Sequence, residues 1–264
     1  MMVPILRQKG TGMLLNGRNA VIYGGGGAIG GAAARAFARE GARVFLAGRH
    51  PEPLQAVAEQ IRTAGGLAET ALLDALNQQA VNEHADHVAA SAGSLDISLN
   101  VIQHGDVQGL PMSAMYLEDY LRPVSTAVQT TFITAQAAAR HMMEQKSGVI
   151  LAFGGSGTQE PGQYLGGLIT AFEAIEAMRR QLAVELGPYG IRVVTLRSGG
   201  IPESLPPDMD GREEIAGAIQ AATMLKRAAT LEDVGNAAVF AASDLAASVT
   251  AATINISAGA LIDW

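Results

Sequence analysis

The sequence predicts an α/β protein: a doubly wound parallel sheet of about seven strands, with helices on both faces. Three observations carry this. Short, nearly continuous apolar runs recur along the chain, as expected of strands buried on both faces. Each is followed by a stretch with helical apolar spacing, the alternation of a parallel sheet. Four consecutive glycines, Gly24–Gly27, stand between the first apolar run and the first helical stretch. With 264 residues, 48% of them hydrophobic, the chain can bury one large core.

The first strand is "NAVIY" (Asn19–Tyr23), and its helix runs from about Ala28 to Glu40, with Ile29, Ala33, Ala36 and Phe37 on one face. "ARVFLAG" (Ala42–Gly48) is the second strand, and "PLQAVAEQIRTAG" a helix stopped by Gly65 and Gly66. Leu67–Leu73 and Asp96–Ile102 read as the third and fourth strands, with a helix over Gln78–Ala92 between them. Long helices flank "GVILAF" (Gly148–Phe153), "IRVVTL" (Ile191–Leu196) follows, and Ala251–Ile256 closes the sheet after the helix "LEDVGNAAVFAAS". One domain over 14–264 is expected, behind a poorly tethered tail at 1–13. The Pro- and Asp-rich stretch Pro202–Gly211 opens a substrate-covering loop near 201–225.

Composition narrows the partners. A net charge of −7 argues against a nucleic-acid partner, whose binders carry clustered basic residues. With no cysteine, disulfides and thiolate chemistry are excluded, in keeping with a reducing, cytoplasmic setting. No apolar run approaches the length of a membrane span or a secretory leader. No metal-ligand spacing stands out, since His84 and His87 read as part of a solvated helix face. Small-molecule and protein partners remain.

A glycine-rich turn between strand and helix lets backbone amides approach a pyrophosphate, though it also serves as a plain flexible turn. The strand–loop–helix context favours a dinucleotide. At the end of the second strand, where a carboxylate would hold a free ribose hydroxyl, stand Gly48 and Arg49. A guanidinium there suits a 2′-phosphate and favours NADP(H) over NAD(H); the alternative is an ordinary solvated arginine.

From about residue 14 to 262 the chain resembles the short-chain dehydrogenase/reductases, a Rossmann-fold family. The opening "LLNGRNAVIYGGGGAIGGAAARAFAREGARVFLAGR", the fourth strand "SLDISLN", the segment "RRQLAVELGPYGIRVVTLRSGGI" and the closing "MLKRAATLEDVGNAAVFAASDLAASVTAATINISAGALI" carry the likeness. The resemblance implies a cofactor site at Gly24, Gly26, Gly27, Ile29 and Gly30, with Arg49, Asp74 toward the adenine, and Asn100. Family catalysis uses an Asn-Ser-Tyr-Lys tetrad in which a lysine lowers the pKa of a phenol. Aligned without a gap, this chain has Ala127, Gly155, Leu168 and Phe172 at those four positions. The loop departs as well: Tyr23 replaces a threonine and Ala28 a glycine.

The polar groups left near the expected reaction centre are few. Tyr164 could give a proton, with Arg197 as the cation, or merely line the pocket; Ser156 could orient a carbonyl oxygen or only satisfy a turn. His104 has a suitable ordinary pKa but is expected to be a solvated loop histidine. The implied activity is NADP(H)-dependent reduction of a small carbonyl or enone at a non-standard site. The alternatives are an inactive NADP(H)-binding homologue, acting as subunit or sensor, and a non-redox lyase or isomerase. The helices containing "AQAAARHMM" and "FEAIEAMRRQLAVEL" resemble the family's subunit-pairing helices, implying a homotetramer.

Overall fold

A computed structural model describes residues 12–154 and 164–262. The order of elements is β1 (Asn19–Tyr23), α1 (Ala28–Arg39), β2 (Arg43–Gly48), α2 (Pro51–Thr63), β3 (Leu67–Leu72), α3 (Gln78–Ala92) and β4 (Ile97–Asn100). Then follow α4 (Leu117–Gln145), β5 (Gly148–Gly154), α5 (Leu168–Leu186), β6 (Ile191–Arg197), α6 (Arg212–Ala221), α7 (Leu231–Ala242) and β7 (Ala252–Asn255). The seven strands form one sheet in the order β3-β2-β1-β4-β5-β6-β7, and every pairing is parallel.

Strand alternation divides the core in two. Ala20 and Ile22 of β1 join Phe37, Val57, Ile61 and Ala238 on the face covered by α1, α2 and α7. Val21 and Tyr23 join Val81, Val88, Ile133 and Met142 on the face covered by α3, α4 and α5. Local chemistry sets several ends. The Asn77 side chain caps α3 by accepting from the Ala80 amide at 3.1 Å, and Gly93 closes it in the left-handed region at φ +85°. Thr230 and Asp233 form a reciprocal capping box at the start of α7.

Two expectations are corrected in detail. The fourth strand is shorter than Asp96–Ile102: backbone bonds still link Asp96 to Asn19 and Val149, and Val101 to Tyr23, and side chains take the next amides. Asp96 Oδ2 accepts the Asn19 amide at 2.8 Å, and Asn100 Oδ1 accepts the Ile102 amide at 3.1 Å, turning the chain out of the sheet. The region 201–225 is not simply a loop: it holds a 3₁₀ turn at Pro202–Ser204 and the helix α6. Among the described residues, no helix is long and apolar enough to cross a membrane.

The face of α3 also differs from expectation. His87 is exposed, but His84 turns inward along the Val81–Ala85–Val88 stripe, three residues after Val81 and four before Val88. Its ring meets Tyr23 edge-on, with centroids 6.4 Å apart and planes at 78°. Among the described residues, neither His84 Nδ1 nor the Tyr23 hydroxyl has a hydrogen-bond partner, and both are buried. Burial, reinforced by His87 and opposed by Glu69, pushes the His84 pKa down to about 4.

A histidine whose folded pKa is depressed binds fewer protons than the unfolded chain between the two values. Its penalty is therefore absent above about pH 6.5 and grows as pH falls toward about 4. His84→Leu should shrink the stability difference between pH 7 and pH 4.5 by about 2–3 kcal/mol. Urea unfolding of both proteins at the two pH values measures it.

Candidate cofactor groove and active site

Strand order reverses between β1 and β4, so the connections after these strands part to opposite sides and leave a crevice at their carboxyl ends. The cavity there has a volume of about 460 Å³. Its walls come from the glycine turn, the end of β2, the segment after β3 and the loop after β4, with Arg122, Thr126 and Thr130 contributed by α4.

The glycine turn is built by contacts that exclude side chains. Gly24 lies at φ +85°, and a Cβ there would stand 2.8 Å from the Val101 carbonyl oxygen. A Cβ on Gly30 would collide with the carbonyl oxygen of Gly24. The turn is tied to β2 by the Gly24 amide, which donates to the Ala47 carbonyl at 2.9 Å, and closed by Gly27, which donates to Gly24 at 3.0 Å. Helix α1 begins with no side-chain cap, so its first-turn amides face the crevice end without an internal partner. An open amide cluster at a helix start beside a cavity fits a pyrophosphate.

The site residues read from sequence divide by position. Gly24, Gly26, Gly27, Arg49 and Asp74 line the groove; Ile29, Gly30 and Asn100 are outside its lining. Gly30 acts through packing, and Asn100 through the sheet end, where its Nδ2 donates to Thr130 Oγ1 at 3.3 Å. Arg49 is exposed at the rim, and no other described residue bonds its guanidinium. Asp74 Oδ1 accepts the Leu76 amide at 3.0 Å, which shapes the rim opposite Arg49. Ser156 lies outside the described residues, as does Gly155.

At the other end the surroundings are apolar. Ala127 is fully buried in a cluster with Ala152, Ala171 and Ile175, and Phe172 packs against it. Helix α5, which carries Phe172, is held to β7 by Glu176: its Oε2 accepts from Arg179 Nη2 at 2.7 Å and from Thr253 Oγ1 at 2.9 Å. Tyr164 is 47% exposed just before α5 and does not line the groove. The expectation for His104 is overturned: it lines the groove, is only 8% exposed, and meets the Phe172 ring edge-on at 5.9 Å. Sequence reading missed this because the burial depends on α5 closing over the loop. Burial holds its pKa below the ordinary value, against the opposing pull of Asp106.

The comparisons agree with this geometry. A family model described as enoyl-(acyl carrier protein) reductase matches residues 26–260. A probable galactose dehydrogenase of Rhizobium meliloti is 31% identical over 93% of this chain and 95% of the relative. The chain belongs to the short-chain dehydrogenase/reductase family. An L-rhamnose 1-dehydrogenase (NAD(P)(+)) of Azotobacter vinelandii is 29% identical, covering 95% of this chain and 99% of its own. A solved short-chain type dehydrogenase/reductase from Mycobacterium ulcerans superposes with a TM-score of 0.86 at 26% identity, over 93% of this chain and 90% of that one. Membership in this oxidoreductase family implies a nicotinamide dinucleotide, NAD or NADP, and a small-molecule substrate.

The glycine turn gives a direct check on the groove. Gly30→Ala should cost about 1–3 kcal/mol, since neither the added methyl nor the Gly24 backbone can move aside. Gly217→Ala, in open space on α6, should be neutral or gain up to about 1 kcal/mol. Thermal or urea unfolding of the pair measures the contrast.

Proposed function

We propose that this chain is an NADP(H)-dependent oxidoreductase that reduces a small carbonyl or enone substrate at a non-standard active site. The observation that carries the cofactor choice is Arg49. It follows Gly48 at the rim of the groove, with no carboxylate on that strand end and no described partner for its guanidinium. A fixed cation beside a small residue favours a ribose 2′-phosphate over a free hydroxyl.

The residues present divide the work as follows. Gly24, Gly26 and Gly27, with the first-turn amides of α1, hold the pyrophosphate; Asp74 borders the adenine end. When bound, the dinucleotide supplies the hydride. Ala127, fully buried, and Phe172, packed against its cluster, stand at positions where the family places polar catalytic groups, and neither can donate a proton. Tyr164, exposed and outside the groove lining, suits a position at the pocket mouth better than proton donation. Correct positioning still supports slow reduction, because orientation supplies much of the rate in a hydride transfer. The same apolar cluster favours a second reading, an inactive NADP(H)-binding homologue that serves as subunit or sensor. Phe132 on α4 and Val184 on α5 are large and exposed, which supports pairing of these two helices between copies in a homotetramer.

Calorimetry with NADPH and NADH tests the cofactor reading. Arg49→Ala should weaken NADPH binding by about 1.5–3 kcal/mol and leave NADH nearly unchanged. Equal losses for both, or no binding by the native protein, would remove the argument. With NADPH saturating, reduction of simple ketones should be slow, with kcat below about 1 s⁻¹. Complete absence of turnover with intact NADPH binding selects the inactive homologue. Light scattering at micromolar concentration should give a mass of about four chains; a single-chain mass would refute the assembly.

A further inference from the structure

We propose that His104 is the residue that touches the substrate, donating a ring N–H hydrogen bond to its carbonyl oxygen. This rests on the reductase reading above and gives the substrate a definite chemistry: a ketone, aldehyde or conjugated enone, whose oxygen accepts the bond.

The placement comes first. His104 lies four residues beyond Asn100, the last residue of β4, and Gly105 turns the chain beside it at φ +73°. The carboxyl ends of strands next to the reversal of strand order are where ligands of such sheets meet catalytic groups. Its ring lines the groove, and its edge contact with Phe172, 5.9 Å and 66°, restrains the ring plane. Phe172 is the residue standing at the family's lysine position, so the imidazole stands against the wall from which the ordinary catalytic pair is missing.

Bonding supplies the second argument. Buried imidazoles normally have hydrogen-bond partners. Among the described residues none bonds the His104 ring, and unlike His84 Nδ1 its nitrogens are not fully enclosed by protein, although the residue is only 8% exposed. By contrast His141, on the outer surface, has its Nε2 2.8 Å from Asp86 Oδ1. An imidazole that is largely buried, restrained by an aromatic edge and with its nitrogens open toward a cavity is prepared for a ligand atom.

The charge state suits a donor. The neutral ring has one N–H and one acceptor nitrogen. The charged groups near its loop are Asp106, which follows it by two residues, and Arg122 of α4. Arg122 reaches the Gly105 carbonyl at 3.5 Å and is engaged by Asp119 at 2.6 Å. No described carboxylate bonds the ring to hold a second proton on it. A neutral imidazole polarises a carbonyl through its N–H without giving up its proton, and the oxygen left negatively charged by reduction takes its proton from water entering the open groove.

The test uses full-length ¹⁵N-labelled protein with NADPH bound and cyclohexanone as the probe. Ring nitrogen resonances of His104 should move on adding cyclohexanone, while those of His50, His84, His87 and His141 stay in place. In turnover assays His104→Leu should lower kcat for cyclohexanone about 10²-fold with less effect on KM. His104→Gln, which keeps an N–H donor, should recover to within about tenfold of native. Unmoved His104 resonances while cyclohexanone shifts other groove residues would overturn the proposal and leave the reductase reading standing. Native activity in a folded His104→Leu variant would do the same. Native protein that binds no NADPH would overturn both together. The resonance measurement needs only native protein, so a variant that fails to fold does not decide the matter.

Discussion

A contact between backbones governs the arrangement of this molecule. The turn leaving β1 presses against the exit of β4, with Gly24 against the Val101 carbonyl and Gly30 against Gly24 itself. Neither position has room for a methyl group. Because the turn sits so low, α1 starts at the edge of the crevice and points its uncapped amides toward it. The same contact joins the two halves of the sheet where strand order reverses, since Tyr23 and Asn100 are register partners across β1 and β4. The cofactor groove and the sheet junction are thus one construction.

The two ends of the groove have been treated differently. At one end lie the uncapped amides that start α1 and, at the rim, the exposed Arg49. Beyond the other end, Ala127 is buried in an apolar cluster with Ala152, Ala171 and Ile175, against which Phe172 packs. The His104 imidazole, which lines the groove, meets Phe172 edge-on. His84, packed edge-on to Tyr23 on the α3 side of the sheet, likewise has its pKa lowered by lost hydration. Burial lowers both histidines' pKa values, whereas at Glu176 the polar side chains of Thr195, Arg179 and Thr253 together outweigh it.

Much of the architecture could be read from local pattern. Strands buried on both faces leave continuous apolar runs, and helices between them leave a 3.6-residue stripe, so Asn19–Tyr23 and Gln78–Ala92 agree residue for residue with the structure. The groove-lining glycines, Arg49 and Asp74 were legible for the same reason: a strand end followed by a helix start places them on one side of the sheet. Where side chains meet the ladder's ends the pattern overran the strand, as at β4, where the Asp96 carboxylate takes the Asn19 amide of β1 and the Asn100 carboxamide takes the Ile102 amide. Asn100 and Gly30 stand outside the groove lining, one hydrogen-bonded to Thr130 and the other packed on the Gly24 carbonyl.

What the sequence determined by itself was the succession of elements, their parallel order and the glycine turn, all consequences of short-range periodicity and of backbone freedom. What only the tertiary structure decided was which isolated polar residues face inward. His104 looks like a loop histidine until α5 brings Phe172 over it, and His84 looks solvated until α3 packs its inner stripe against β1. Burial of a single side chain is a sum over neighbours distant in the chain, and no local spacing encodes that sum.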